Sequence, residues 1–308
     1  MKPGVLVNAH AGCARRDPEL PKRLGRLLPA EQVHTTGGAE DVAPALEALR
    51  QAGVDTLVLV GGDGTVSGTL SELLVRWPED RLPAVVLVPG GTVNTIARSL
   101  GARGAPEELV ARLLAQPAAA HESRRPLVSV RAGGVARAGM IFANGVAVRW
   151  LRAYYEGPRR GVAAAASLVA RITASASVRG SFARRLFEAL RCEVSVDGVR
   201  MRETRFTAMG ASSVTHIGLG FAPFHFAGRN PDHFHFAVTD ASAGQLAAAL
   251  PALRLGRGDR LARLRHFAAQ RVELRFEEPQ PWSLDADVFD ATRELELLAT
   301  TPLRFLVP

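Results

Sequence analysis

Cysteine, lysine and long apolar runs are scarce in this chain of 308 residues, and each scarcity closes off a class of protein. Cys13 and Cys192 are its two cysteines. That is too few for a disulfide framework or a thiolate metal cluster, and it suits a reducing compartment. Lys2 and Lys22 are its two lysines, and neither follows a glycine. A Walker A loop, which needs Gly-Lys before Ser or Thr, is therefore excluded. The most notable uncharged apolar stretch, 161–170, is bracketed by Arg160 and Arg171. It falls well short of the roughly 20 residues that cross a bilayer. The start, MKPGVLVNAHAG, turns polar after a few apolar residues and reads as a first strand rather than a secretory leader.

What remains is ordinary globular composition, 47% hydrophobic and 22% charged, with enough length for two domains with their own cores. The net charge of +8 is unevenly placed. Between Arg149 and Arg191 the chain carries Arg149, Arg152, Arg159, Arg160, Arg171, Arg179, Arg184, Arg185 and Arg191 against Glu156 and Glu188. Trp150, Leu151, Tyr154, Tyr155, Phe182, Leu186 and Phe187 are interleaved with them. Such a mixture suits an amphipathic surface resting transiently on anionic headgroups, or a solvated helical face in a chain that uses arginine for nearly all its positive charge. The segment has no nucleic-acid-binding motif, so no nucleic-acid partner is expected.

Residues 56–67, TLVLVGGDGTVS, are the most informative stretch. A β-branched apolar run stops at Gly61-Gly62-Asp63-Gly64-Thr65, and a helical pattern follows. Glycines expose backbone N–H groups to an anion, and the helix start adds the positive end of its dipole. Asp63 would repel a phosphate unless a divalent cation sits between them, so the loop reads as a nucleotide and Mg²⁺ site. About 30 residues on, Ala84–Val88 ends in Pro89-Gly90-Gly91-Thr92-Val93-Asn94-Thr95, a second loop of the same design. Gly62, Gly64 and Gly68 also match a dinucleotide fingerprint loosely, which leaves a hydride-transfer enzyme as a weak alternative.

Up to about residue 125 strands and helices alternate. Strands are expected at Val5–Asn8, Gln32–Thr35, Thr56–Val60 and Ala84–Val88, and helices at Pro18–Leu28, Ala39–Gln51 and Val66–Arg76, which predicts a parallel sheet covered on both faces. Beyond Pro126 the pattern becomes strand-rich, with Leu127–Arg131, Ala138–Asn144, Cys192–Val196, Val199–Phe206 and His233–Val238, and Asp197-Gly198 as a hairpin turn. Helices are expected at Val162–Ser175 and Ala243–Leu253. The boundaries are therefore 1–125 and 126–289, with 290–308 able to return to the first domain.

GGDGTVS followed by PGGTVNTIARSLG resembles the catalytic domain of the diacylglycerol kinase family, which includes bacterial lipid kinases and the sphingosine and ceramide kinases. GGDGT alone is shared with NAD kinases; its pairing with PGGTxN narrows the choice. Asn8-Ala9-His10-Ala11-Gly12 is similar to the family's first nucleotide loop, with Ala9 in place of proline, and Thr36 matches a phosphate-contacting threonine. Phe142–Gly145 and Gly218–Pro223 resemble weaker motifs, and Leu284-Asp285-Ala286-Asp287 stands where the family has an apolar residue before Asp-Gly-Glu.

The resemblance implies an α/β fold: a three-layer nucleotide-binding domain of the NAD kinase and diacylglycerol kinase type, then a mainly antiparallel β-rich domain, with ATP and a lipid acceptor meeting in a cleft. It implies ATP and Mg²⁺ as cofactors. Backbone amides of Gly62, Asp63, Gly64, Thr65, Val66 and Ser67, with the hydroxyls of Thr65, Thr36 and Thr92, would hold the phosphates; Asn8 and Gly12 would seat the nucleotide, and Gly61, Gly91 and Asn94 belong to the same ATP site. Asp63 would bind the metal directly or through water, and the Asp285/Asp287 pair would accept the hydroxyl proton, Asp287 foremost. A cytoplasmic protein, with peripheral attachment at the inner face of the membrane and a homodimer left open, completes the expectation. Thr95 replaces an aspartate, Ala286 a glycine and Asp287 a glutamate, so a catalytically impaired nucleotide- or lipid-binding relative is the alternative, with NAD kinase behind it. His225, His233 and His235 lie on a period-two pattern and read as edge-of-core or cleft residues rather than as metal ligands.

Overall fold

Short Val and Leu runs in three strands, VLV in Pro3–Asn8, LVLV in Thr56–Gly61 and VVLV in Ala84–Pro89, build the centre of the first sheet. The computed structural model describes every residue except Arg160, Arg179, Asp259, Arg260 and Ala262. It divides into one unit of Met1–Arg125 with Thr301–Pro308 and a second of Pro126–Thr300.

In the first unit, β1 (Pro3–Asn8), β2 (Val33–Thr36), β3 (Thr56–Gly61) and β4 (Ala84–Pro89) are parallel in the order β2-β1-β3-β4. Every residue of β3 is buried, as a strand covered on both faces requires. Val5, Val7, Val58, Val60, Val86 and Val88 pack on one face against Leu20, Leu24, Leu109, Val110 and Leu113. The alternate residues Leu6, Leu57, Leu59, Val85 and Leu87 are buried on the other. Leu46 and Leu49 of helix Val42–Gln51 and Leu70 and Leu73 of helix Asp63–Arg76 are buried as well. The last strand, Leu303–Val307, lies beside β4 and in turn pairs antiparallel with β5 (His121–Arg125). The return to this unit begins at Thr301, later than residue 290, because Arg293–Leu298 belongs to a long strand of the second sheet.

The second unit is built on an eleven-stranded sheet. Its main path runs Leu264–Ala269, Phe234–Thr239, Ala208–Ser212, Ile141–Gly145, Arg271–Leu284, Asp287–Ala299, Val128–Ala132 and Val135–Gly139. Leu190–Val196 pairs with the first half of Arg271–Leu284. Phe142, Phe206, Phe234, Phe236, Trp282 and surrounding aliphatic residues form its core. One expected strand differs. Val199–Phe206 is two short strands, Val199–Arg200 and Arg205–Phe206, with Met201, Arg202, Glu203 and Thr204 between them. Helices Val146–Glu156 and Ser181–Leu186, which periodicity did not single out, occupy much of the arginine-rich segment.

The longest hairpin joins Arg271–Leu284 to Asp287–Ala299 through Asp285 and Ala286, at φ 48° and 76°. Both angles are positive, the geometry of a two-residue type I′ turn. Asp285 tolerates it by using its side chain: the carboxylate accepts the amides of Met140 and Ile141, the latter at 2.7 Å. Ala286 has no such compensation. Ala286→Gly is expected to raise the unfolding free energy by about 1 kcal/mol, because an L side chain is strained in the left-handed region. Asp285→Ala should lower it by about 2 kcal/mol or more, since buried amides lose their acceptor. Urea denaturation of both variants checks the two signs.

Candidate functional site

The parallel β1, β3 and β4 end at Asn8, Gly61 and Pro89 on a single sheet edge, where an open α/β sheet places ligand loops. These loops are bonded to one another. The Gly90 amide donates to the Gly61 carbonyl at 2.8 Å, and the Cys13 amide donates to the Gly90 carbonyl at 2.9 Å. The Asn8 side-chain amide donates to the Thr65 hydroxyl at 2.7 Å, and its oxygen accepts the His10 amide. Neither glycine pair is among the positive-φ residues. The glycines serve close approach instead: a Cβ on Gly91 would stand 2.6 Å from the Gly62 Cα, and one on Gly90 would stand 2.8 Å from the Cys13 sulfur.

Asp63 opens the helix Asp63–Arg76, yet its carboxylate reaches across to the second loop. One oxygen accepts the Thr95 amide at 3.0 Å and the other the Ile96 amide at 2.9 Å. Asp63 therefore caps the short helix Thr95–Ser99 from 32 residues away, taking the part a local N-cap side chain usually plays. Asn94, left-handed at φ 55°, folds its side chain back on Gly91, accepting that amide at 2.7 Å and donating to that carbonyl at 2.8 Å.

Several residues expected to bind ATP or its metal are thus occupied in building the loops. Asn8, Asn94 and Asp63 have their polar atoms engaged. Thr36, Val66 and Ser67 are buried, the Thr36 hydroxyl toward the Val7 carbonyl. Gly64 and Thr92 are exposed, and Gly12, Gly62, Thr65 and Gly91 are partly so.

Beside the second loop lies a cleft of about 700 Å³ that motif reading did not reveal. Arg16, Arg98 and Arg103 line it with Gly91, Thr92 and Asn94, and no acidic residue does. Among the described residues none of these three arginines forms an ion pair. Three unneutralised guanidinium groups on one concave surface attract a polyanion and give it fork-shaped donors.

In the second unit, Asp285 and Asp287 are separated by role. Asp285 is buried and committed to backbone amides. Asp287 is exposed overall, yet the protein around its carboxyl removes enough water to push its pKa upward, with Arg137 pulling the other way. His233 lines a small cavity with Phe226 and Arg229, apart from His225 and His235, which meet His266 instead. The arginine-rich segment is only partly free for an external surface. Arg149 donates to the Leu186 and Glu188 carbonyls, and Arg171 covers the Phe182 ring at 4.2 Å. Arg160 and Arg179 lie outside the described residues. Among the described residues, no helix is long and apolar enough to cross a membrane.

Residues 2–122 match the family model described as the diacylglycerol kinase catalytic domain. Proteins described as probable lipid kinase YegS, from Escherichia coli O9:H4 and Shigella boydii serotype 18, are 36% identical over 87 residues. That alignment covers 27% of this chain and 29% of each relative. Two solved structures from Bacillus anthracis str. Sterne, titled a diacylglycerol kinase and a putative diacylglycerol kinase, superpose with TM-scores of 0.63 and 0.69. Each is 17% identical, covering 100% of this chain and 97% of the other. The chain shares the fold of these two structures, and residues 2–122 of its first unit are similar to the diacylglycerol kinase catalytic domain.

Gly91→Ala is expected to destabilise the first unit by about 1–3 kcal/mol, the usual cost of overpacking, because its Cβ would collide with the Gly62 backbone. Gly64→Ala, with nothing within 4 Å of the added methyl, should be neutral or stabilising in the helix. Thermal and denaturant melts of the pair check the contrast.

Proposed function

We propose that this chain is an ATP-dependent lipid kinase that transfers the γ-phosphoryl group to a lipid hydroxyl. The observation that carries the reading is the basic cleft of Arg16, Arg98 and Arg103 lined by the second glycine loop, which is itself in backbone contact with the first. The match of residues 2–122 to the catalytic domain supports it.

Phosphoryl transfer asks mainly for positioning and for neutralisation of charge. The N-terminal amides of the Asp63–Arg76 helix, the three arginines and the Thr92 hydroxyl would receive the phosphates, with Gly12 seating the nucleotide. Asn8, Thr65 and Asn94 would act by holding the loops in shape. Bound Mg²⁺ would supply charge neutralisation on the phosphates. The residues present suit a cation carried in on ATP, and Asp63, whose oxygens each accept an amide, would hold it through water rather than directly.

The acceptor proton is assigned to Asp287, the family's glutamate position. Asp285 is left out, because ionised it already serves the amides of Met140 and Ile141. The acceptor class is a diacylglycerol-like lipid, phosphatidylglycerol or a sphingoid base. Transient contact with an anionic membrane at the cytoplasmic face would use the helix Val162–Ser177, where Val162 and Arg171 are exposed. A second reading, an impaired nucleotide-binding relative, is favoured by the full engagement of Asp63 as a cap and by the absence of a carboxylate on the side chain of Thr95.

Incubation with labelled ATP, Mg²⁺ and mixed vesicles of these lipids tests both readings. The kinase reading expects phosphorylation of at least one class. Arg98→Ala should raise the KM for ATP by about tenfold, the loss of one charge-assisted hydrogen bond. Asp287→Asn should lower kcat by about 100-fold or more with ATP binding unchanged. ATP binding without product under any divalent metal selects the impaired relative, and absence of ATP binding contradicts both.

A further inference from the structure

Three imidazoles of the second unit meet away from the residues assigned above. His235 lies on the strand Phe234–Thr239 and is fully buried. His266 lies on the neighbouring strand Leu264–Ala269. His235 stands opposite Ala268 and His266 opposite Ala237, so the two histidines form a diagonal pair on one face. His225 comes from the loop 213–233 that folds back over this face. Its ring centroid is 4.4 Å from that of His266 and 5.1 Å from that of His235. One nitrogen from each ring falls within 4.8 Å of the others, the one such group of three or more ligand-type side chains among the described residues.

Hydrogen bonds fix the protons. The Phe226 amide donates to His235 Nδ1 at 2.9 Å, so that nitrogen is the acceptor and Nε2 carries the hydrogen. His235 Nε2 then donates to His266 Nδ1 at 2.8 Å, and His266 Nε2 donates to the Gly258 carbonyl at 3.2 Å. Burial, with His266 and His225 beside it, pushes the His235 pKa down to about 3, so the ring stays neutral at physiological pH. Neutral imidazole is the form that binds metal.

We propose that His225, His235 and His266 form a site for a divalent d-block cation of the Zn²⁺ class. Three nitrogen donors without carboxylates favour such an ion over Mg²⁺ or Ca²⁺. Metal–nitrogen bonds of about 2.1 Å place tetrahedral ligands about 3.4 Å apart, between the 2.8 Å hydrogen bond and the 4.8 Å outer limit of the cluster. The His266 bond to the Gly258 carbonyl is the outer partner that metal-bound histidines commonly keep. On binding, the His235 proton moves from Nε2 to Nδ1, the ring stays neutral, and the Phe226 amide gives up its acceptor. His225 and His266 are partly exposed, which gives the ion its way in. Three protein ligands leave a fourth position for water, and the bound ion fastens the 213–233 loop to the sheet.

The test uses the full chain, stripped with a chelator and titrated with Co²⁺, whose visible d–d bands report nitrogen coordination, then with Zn²⁺. The expected result is one equivalent of Co²⁺, displaced by Zn²⁺, and a metal-dependent rise in Tm. His225→Gln and His266→Gln should each weaken Co²⁺ binding by at least about 100-fold, while His233→Gln leaves it unchanged. His225 is a loop residue, so its variant keeps the test decisive if His266→Gln fails to fold. Absence of d–d bands, a Tm indifferent to metal, or wild-type affinity in His225→Gln would overturn the proposal.

Discussion

The carboxylate of Asp63, accepting the amides of Thr95 and Ile96, is the contact on which the first unit's glycine-loop edge depends. Two glycine loops in backbone contact have no side chains with which to hold each other. One ion-to-amide clamp supplies what the glycines cannot, satisfying the start of a five-residue helix that lacks a side-chain cap of its own. The Asn94 bonds to Gly91 then close the second loop on itself, and Asn8 ties the first strand to Thr65.

This arrangement changes how the acid in the glycine loop is read. Beside expected phosphates a lone carboxylate suggests a metal ligand, whereas here its charge is directed into the protein. The positive potential of the cleft comes from Arg16, which follows the loop 8–12, and from Arg98 and Arg103, which follow the second glycine loop. Negative charge spent on internal amides leaves that potential largely uncancelled, since no acidic side chain lines the same surface. The division between Asp285 and Asp287 follows the same logic. The buried acid organises backbone, and the exposed one stands outside that network.

The alternation of the first unit was legible because buried parallel strands read as continuous Val and Leu runs, and glycine pairs punctuate them. The loops at the ends of β3 and β4 were legible for the same reason. The partner of Asp63 was not, because a side chain that reaches 32 residues ahead leaves no local pattern. Arg16, Arg98 and Arg103 were equally silent: single arginines in an arginine-rich chain carry no spacing signal. Strand Arg271–Leu284 was obscured by Pro279, Pro281 and its charged outer face. The period-two reading of the histidines paired His233 with His235, but the strand begins at Phe234, and the true neighbour, His266, lies one strand over. Ala286 was legible as a departure from glycine, and its φ of 76° gives the reason that departure matters.

Amide hydrogen exchange at Thr95 and Ile96 tests the Asp63 clamp most directly, because those two protons are the ones it holds. Protection in the free protein, lost at both amides in Asp63→Ala while the β3 amides stay protected, is the predicted result. Fast exchange at Thr95 and Ile96 in the wild type, or protection unchanged in the variant, would contradict the account.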